Sequence, residues 1–235
     1  MVSINILKTV RHAVAGVAVS VVMASAAAAA TLTIVGGSAT TLPASYNPAC
    51  GGGCTTPAVG DPITAFSAAA DGGLIGGGLS LDSAASLKFT FIGKEAGAQN
   101  AVFSIGGATL TNTGGFNTSF TVFQNVAGFV QFLFRTAEGG LWDDINGNSV
   151  GNDILSINNG GTADFSGLSL AFSSIFNGGK SVYAFFGDGR GDVDYDDMVV
   201  RIDVVPLPAA GLLMLGALGG LGLLRARRRK AEAAA

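Results

Sequence analysis

"MVVRIDV", residues 198–204, decides the fold class. Met198, Val200, Ile202 and Val204 recur at every second position, with Val199, Arg201 and Asp203 between them. A period of two sends alternate side chains to opposite faces of an extended chain, so the stretch predicts a β-strand with one apolar face. The same alternation appears upstream. In "KFTFI" (88–92) Phe89 and Phe91 share a face, and in "LSLAF" (168–172) Leu168, Leu170 and Phe172 oppose Ser169 and Ala171. Shorter or fully apolar runs at 101–105, 119–124, 129–136, 153–157 and 181–186 bring the expected strands to about eight. Clusters such as "TNTGGFN" and "INNGG" separate them, since glycine and asparagine tolerate the backbone angles of turns.

Helical periodicity is confined to the two ends of the chain. Of 15 phenylalanines, 14 lie between Phe89 and Phe186, which is the material of a sandwich core. Trp142 and three tyrosines are few for an aromatic sugar-binding platform. The expectation is an all-β, jelly-roll-like β-sandwich of about eight or more strands over residues 81–204. Residues 31–80 hold four of the six prolines (Pro43, Pro48, Pro57, Pro62) and much Gly, Ala, Ser and Thr. They read as an irregular region with one or two short strands, part of which can join the body.

The ends carry addresses. Lys8, Arg11 and His12 precede an apolar core at 13–23, and "ASAAAAA" (24–30) offers small-residue cleavage frames ending at Ala30. This is the pattern of a secretory signal peptide over residues 1–30, read as a helix that is cleaved. At the other end, residues 209–224 are 16 residues without charge. That is short of the ~20 a spanning helix needs, and flanking apolar residues and snorkelling arginines extend its reach. Arg225, Arg227, Arg228, Arg229 and Lys230 follow and keep the tail cytoplasmic by the positive-inside rule. Just before the helix, Pro206 and Pro208 lack amide donors and bias Val205 and Leu207 to extended backbone, so this peptide is open to an enzyme's grip.

The order Val205-Pro206-Leu207-Pro208-Ala209, short Gly/Leu helix, arginine cluster resembles the PEP-CTERM sorting signals, in their VPLPA variant. The resemblance covers about the last 30 residues (205–230 and the short end), and Val-Pro-Leu-Pro stands where the type pattern has Pro-Glu-Pro. It implies handling by an exosortase, a membrane-embedded cysteine transpeptidase-like enzyme of Gram-negative bacteria. It also implies an inner-membrane-anchored precursor, a mature body at the cell surface or outside it, and an association with exopolysaccharide and biofilm. Many proteins with this signal have a similar "DYDDMVV"-like stretch shortly before it.

Charge and histidine content then exclude whole classes. Of 13 Lys+Arg, two fall in residues 1–30 and five in 225–230; of 16 Asp+Glu, only Glu232 falls outside the body. The body therefore holds six positive and 15 negative side chains, a net charge of −9. Such a surface repels nucleic acid and anionic lipid and suits calcium, or a neutral or cationic surface. The one histidine, His12, leaves with the signal peptide, which removes Ser-His and Cys-His catalysis and imidazole-ligated metals. Carboxylate chemistry on polysaccharide survives in principle, but no acid and base pair stands out. Cys50 and Cys54 in "CGGGC" are expected to form a small disulfide in an oxidising compartment.

Two acidic stretches are the candidate sites. "GDGRGDVDYDDM" packs Asp188, Asp192, Asp194, Asp196 and Asp197 into ten positions, with the alternate spacing of calcium loops and a plain solvated turn as the alternative. The EF-hand pattern fails, because Asp197 stands where glycine is needed and a strand follows. In "WDDINGNSVGND", Asp144, Asn146 and Asn148, with Asp153, repeat the alternate oxygen spacing, which ordinary turns also show. The functional expectation is an exported structural or adhesive surface protein, not an enzyme. Its partners would be an exosortase, the membrane through the precursor's C-terminal helix, and extracellular polysaccharide. A calcium-dependent carbohydrate-binding module is the alternative, followed by a carboxylate-based enzyme.

Overall fold

The computed structural model describes residues 30–51, 55–68, 73–95, 99–104, 106–137, 154–164, 166–188 and 194–205. These residues are all-β, with 17 strands in three antiparallel sheets, an arrangement consistent with a β-sandwich. Among them no helix is long and apolar enough to cross a membrane.

In chain order the strands are β1 Leu32–Gly36, β2 Ser38–Thr41, β3 Ala49–Cys50, β4 Pro62–Ser67, β5 Gly73–Leu74 and β6 Gly77–Leu81. Then come β7 Ala85–Lys94, β8 Gln99–Ser104, β9 Thr109–Thr111, β10 Ser119–Gln124, β11 Gly128–Phe129 and β12 Phe132–Ala137. The last are β13 Ile154–Asn158, β14 Thr162–Ala163, β15 Ser169–Ser173, β16 Ser181–Gly187 and β17 Met198–Val205. The largest sheet runs β10-β7-β17-β16-β15-β4-β2, with β3 added beside β7. A six-stranded sheet runs β5-β14-β13-β12-β8-β9, and a three-stranded one runs β1-β6-β11.

The expected faces are observed. Met198, Val200, Ile202 and Val204 enter the main core with Phe89, Phe91, Leu168, Leu170 and Phe172. Rings bridge the large and six-stranded sheets: Phe134 stacks on Phe186 at 5.1 Å, and Phe132 meets Phe89 edge-on at 5.5 Å. The opposite faces of β15 and β16 are largely buried too, as is Val199 on that face of β17. Ala171, Phe185 and Val199 form a second core with Ile63, Ile92, Leu42 and Tyr46. A cover of irregular chain supplies Leu42 and Tyr46, and it is tied down where Leu42 N donates to Asp61 O at 3.0 Å and Gly60 N donates to Leu42 O at 2.9 Å.

Residues 31–80 thus correct the expectation of a largely irregular region. Besides the cover they contribute β1 to β5 and most of β6, and β4 lies inside the large sheet between β15 and β2. Pro62 is tolerated because it opens β4, the position where a strand spares its missing amide. Gly36, at φ 74°, is where β1 and the turn before β6 touch backbone to backbone, since an added Cβ there would collide with Gly76 O.

The fold also has two distinct ends. Leu32 N donates to Gly179 O and Val204 N donates to Lys180 O, both at 2.7 Å, so the start of β1 and the end of β17 meet at one turn. Asp188, just past β16, and residues 194–197, just before β17, lie at the far end of those strands, roughly 25 Å away for eight residues at ~3.3 Å each.

At the near end Asp82 closes the start of the fold. Thr31 Oγ1 donates to Asp82 Oδ2 at 2.6 Å and Thr31 N donates to Asp82 Oδ1 at 2.9 Å, and these bonds hold the carboxyl below its ordinary pKa. Asp82→Ala should lower the melting temperature at pH 7. A depressed folded pKa means that the stabilisation is complete above the unfolded pKa and is lost as pH falls through the folded one. The gap between variant and parent in thermal melts should therefore close in acid.

Candidate metal centre

The far end gathers acidic groups from three parts of the chain. Antiparallel pairing aligns Val199 with Gly93, with the register shifting between Val199 and Val200. That alignment carries Glu95, just past β7, beside Asp196, just before β17, and Glu95 N donates to Asp196 O at 2.7 Å. β3 pairs Ala49 with Lys94, which brings the preceding loop into reach, and Asn47 N donates to Asp196 Oδ2 at 2.6 Å. Between the two aspartates Tyr195 takes φ 67°, a region few tyrosines enter, and its ring sits in the second core.

One carboxylate oxygen from each of Glu95, Asp194 and Asp196 lies within 4.8 Å of the other two. Glu95 is exposed, whereas Asp194 and Asp196 are 2% and 0% accessible. Asp194 Oδ2 and Asp196 Oδ1 are buried and receive no hydrogen bond. Burial pushes the Asp196 carboxyl up to about 8, opposed by the Asn47 amide and helped by the neighbouring Asp194 carboxyl and the charge of Glu95. At such burial the pair is open to an ion and closed to a sugar-sized substrate.

A second pair lies beside it. Asp188 N donates to Asp197 Oδ2 at 2.6 Å, and Asn100 Nδ2 of β8 donates to Asp197 O at 3.4 Å. Burial raises the Asp197 carboxyl to about 7, with the charges of Asp188 and Asp194 adding and the Asp188 amide opposing.

The structure therefore divides the expected single cluster of five. Asp194 and Asp196 converge with Glu95, whereas Asp197 turns to Asp188; Asp192 lies outside the described residues. Glu95 was missed because it stands a hundred positions upstream in the unremarkable run "GKEAG", and only strand register brings it here. Asp144, Asn146, Asn148 and Asp153 lie outside the described residues, as do Pro206, Leu207, Pro208, Ala209 and the basic run from Arg225 to Lys230. Val205 is the last described residue and ends β17. Cys50, in β3, is disulfide-bonded; Cys54, the chain's other cysteine, lies outside the described residues.

The ligand chemistry is all oxygen, from three carboxyl groups, which suits hard cations and not the nitrogen and sulfur preferences of zinc or copper. No known family model matches this chain, and no curated protein or solved structure is significantly similar to it.

Proposed function

We propose that this chain is the precursor of an exported structural or adhesive protein, a jelly-roll-like β-sandwich delivered to the cell surface or extracellular matrix by an exosortase. In this reading residues 1–30 form a cleaved signal helix. The C-terminal helix holds the precursor in the inner membrane until the Val205–Ala209 motif is processed. The observation that supports it is the direct junction between fold and motif. β17 pairs on both sides, with β16 and β7, and ends at Val205, so Pro206 follows the sheet with no linker. The start of β1 lies at the same end as Val205, which suits a body whose signal peptide and tail both engage one membrane.

Pro206→Ala with Pro208→Ala restores two amide donors and permits helix at the motif, while barely changing its hydrophobicity. In cells with a working exosortase the double variant should accumulate as a larger, membrane-bound precursor that retains Arg225 to Lys230. Fractionation and intact mass report the outcome. If the parent's surface protein keeps its tail peptides, the segment is a permanent anchor and the proposal fails.

A further inference from the structure

We infer that Glu95, Asp194 and Asp196 form a binding site for one hard divalent cation of calcium's size, which ties the ends of β7 and the 43–50 cover to the start of β17. This goes beyond the sorting reading and does not depend on it. The first observation is convergence, with three carboxylate oxygens within 4.8 Å of one another. The second is independent of the acidity. Asp194 Oδ2 and Asp196 Oδ1 are fully enclosed and receive no hydrogen bond, although buried carboxylate oxygens almost always have partners. One shared proton would join Asp194 to Asp196, one oxygen donating and the other accepting, and would leave Glu95 outside the bond. A divalent cation contacts all three at once.

Three oxygens within 4.8 Å of one another fit around calcium, which binds oxygen at ~2.3–2.6 Å and so lets ligands stand up to about 5 Å apart across the ion. Magnesium demands near-ideal octahedral geometry at ~2.0–2.1 Å, whereas calcium tolerates the irregular set that carboxylates fixed by separate strands present. The exposed side, at Glu95, is the route by which the ion and its remaining waters enter.

The neighbouring bonds show what such an ion would hold. Asp196 already receives the Asn47 amide from the cover, and its backbone oxygen receives the Glu95 amide from the end of β7. A cation here is thus a clasp at the end of the sandwich away from Val205.

The test uses protein produced from the full chain, stripped with chelator and titrated with calcium chloride by calorimetry and thermal melting. Extracellular calcium modules bind with Kd of ~10⁻⁴–10⁻³ M, so a rise in melting temperature should saturate by ~10 mM calcium. Magnesium chloride at equal concentration should give a smaller rise; an equal one would overturn the assignment to calcium. Glu95→Gln changes an exposed side chain, so it should fold like the parent in chelator and bind calcium at least tenfold more weakly. Asp196→Asn should abolish the calcium-dependent rise and melt in chelator at or above the parent. Unchanged melting of the parent at ~10 mM calcium, or parental affinity in Glu95→Gln, would overturn the inference, the latter by locating the binding elsewhere.

Discussion

Asn159→Ala should destabilise the protein by roughly 2–5 kcal/mol, far more than a polar turn residue ordinarily costs. Asn159 follows β13 and is buried. Leu79 N donates to its Oδ1 at 2.7 Å, and its Nδ2 donates to Leu79 O at 2.8 Å and to Val130 O at 2.7 Å. One side chain thus pins β6 of the three-stranded sheet to the six-stranded sheet. Alanine leaves Leu79 N buried without this partner, at ~1–3 kcal/mol, and removes one bond each from Leu79 O and Val130 O, at ~0.5–1.5 kcal/mol apiece, since these keep the Val130 and Phe132 amides. Asn159→Asp keeps the shape but turns an acceptor toward two carbonyls, so it should cost at least as much. The close fit extends to Gly78, where an added Cβ would collide with Asn159 Oδ1. Urea denaturation reads both variants. A loss under ~0.5 kcal/mol for Asn159→Ala would mean that water replaces the amide without penalty.

Phe172→Ala should cost about 3–5 kcal/mol, the range for a large aromatic removed from a core that cannot collapse. The Phe172 ring is fully buried on β15 and meets Phe66 edge-on at 5.7 Å and Phe132 edge-on at 6.3 Å. It therefore couples two strands of the large sheet to β12 across the core, and both neighbours lose contacts when it goes. Phe123, on the edge strand β10, is the internal control. It is 61% exposed, so Phe123→Ala should move stability by no more than about 0.5 kcal/mol. Equal denaturant midpoints for the two variants would contradict the core described here.

Strand type and inward faces were legible in residue order alone. Met198, Val200, Ile202 and Val204, or Leu168, Leu170 and Phe172, need only a pleated chain and one apolar layer to choose their side, and that choice is local. The acidic segment before β17 was legible as a candidate for the same reason, since Asp194 and Asp196 stand two positions apart.

What tertiary structure alone decided came from pairing. β1, β2, β5 and β6 are only two to five residues long, and β2 and β5 have too little apolar contrast to show a period. They are strands because distant partners offer them hydrogen bonds, as Leu32 finds Leu81 and Thr40 finds Ile63. "INNGG" read as a turn, and it is one, yet the role of Asn159 depends on carbonyls at positions 79 and 130. Val199 and Phe185 gave no sign of a second core, because the Leu42 and Tyr46 that cover them arrive from the proline-rich stretch. Glu95 joined Asp194 and Asp196 through the register of β7 against β17, shifted between Val199 and Val200. Side-chain period is a property of neighbours along the chain, whereas register and cover are set by the most favourable pairing among strands far apart in it.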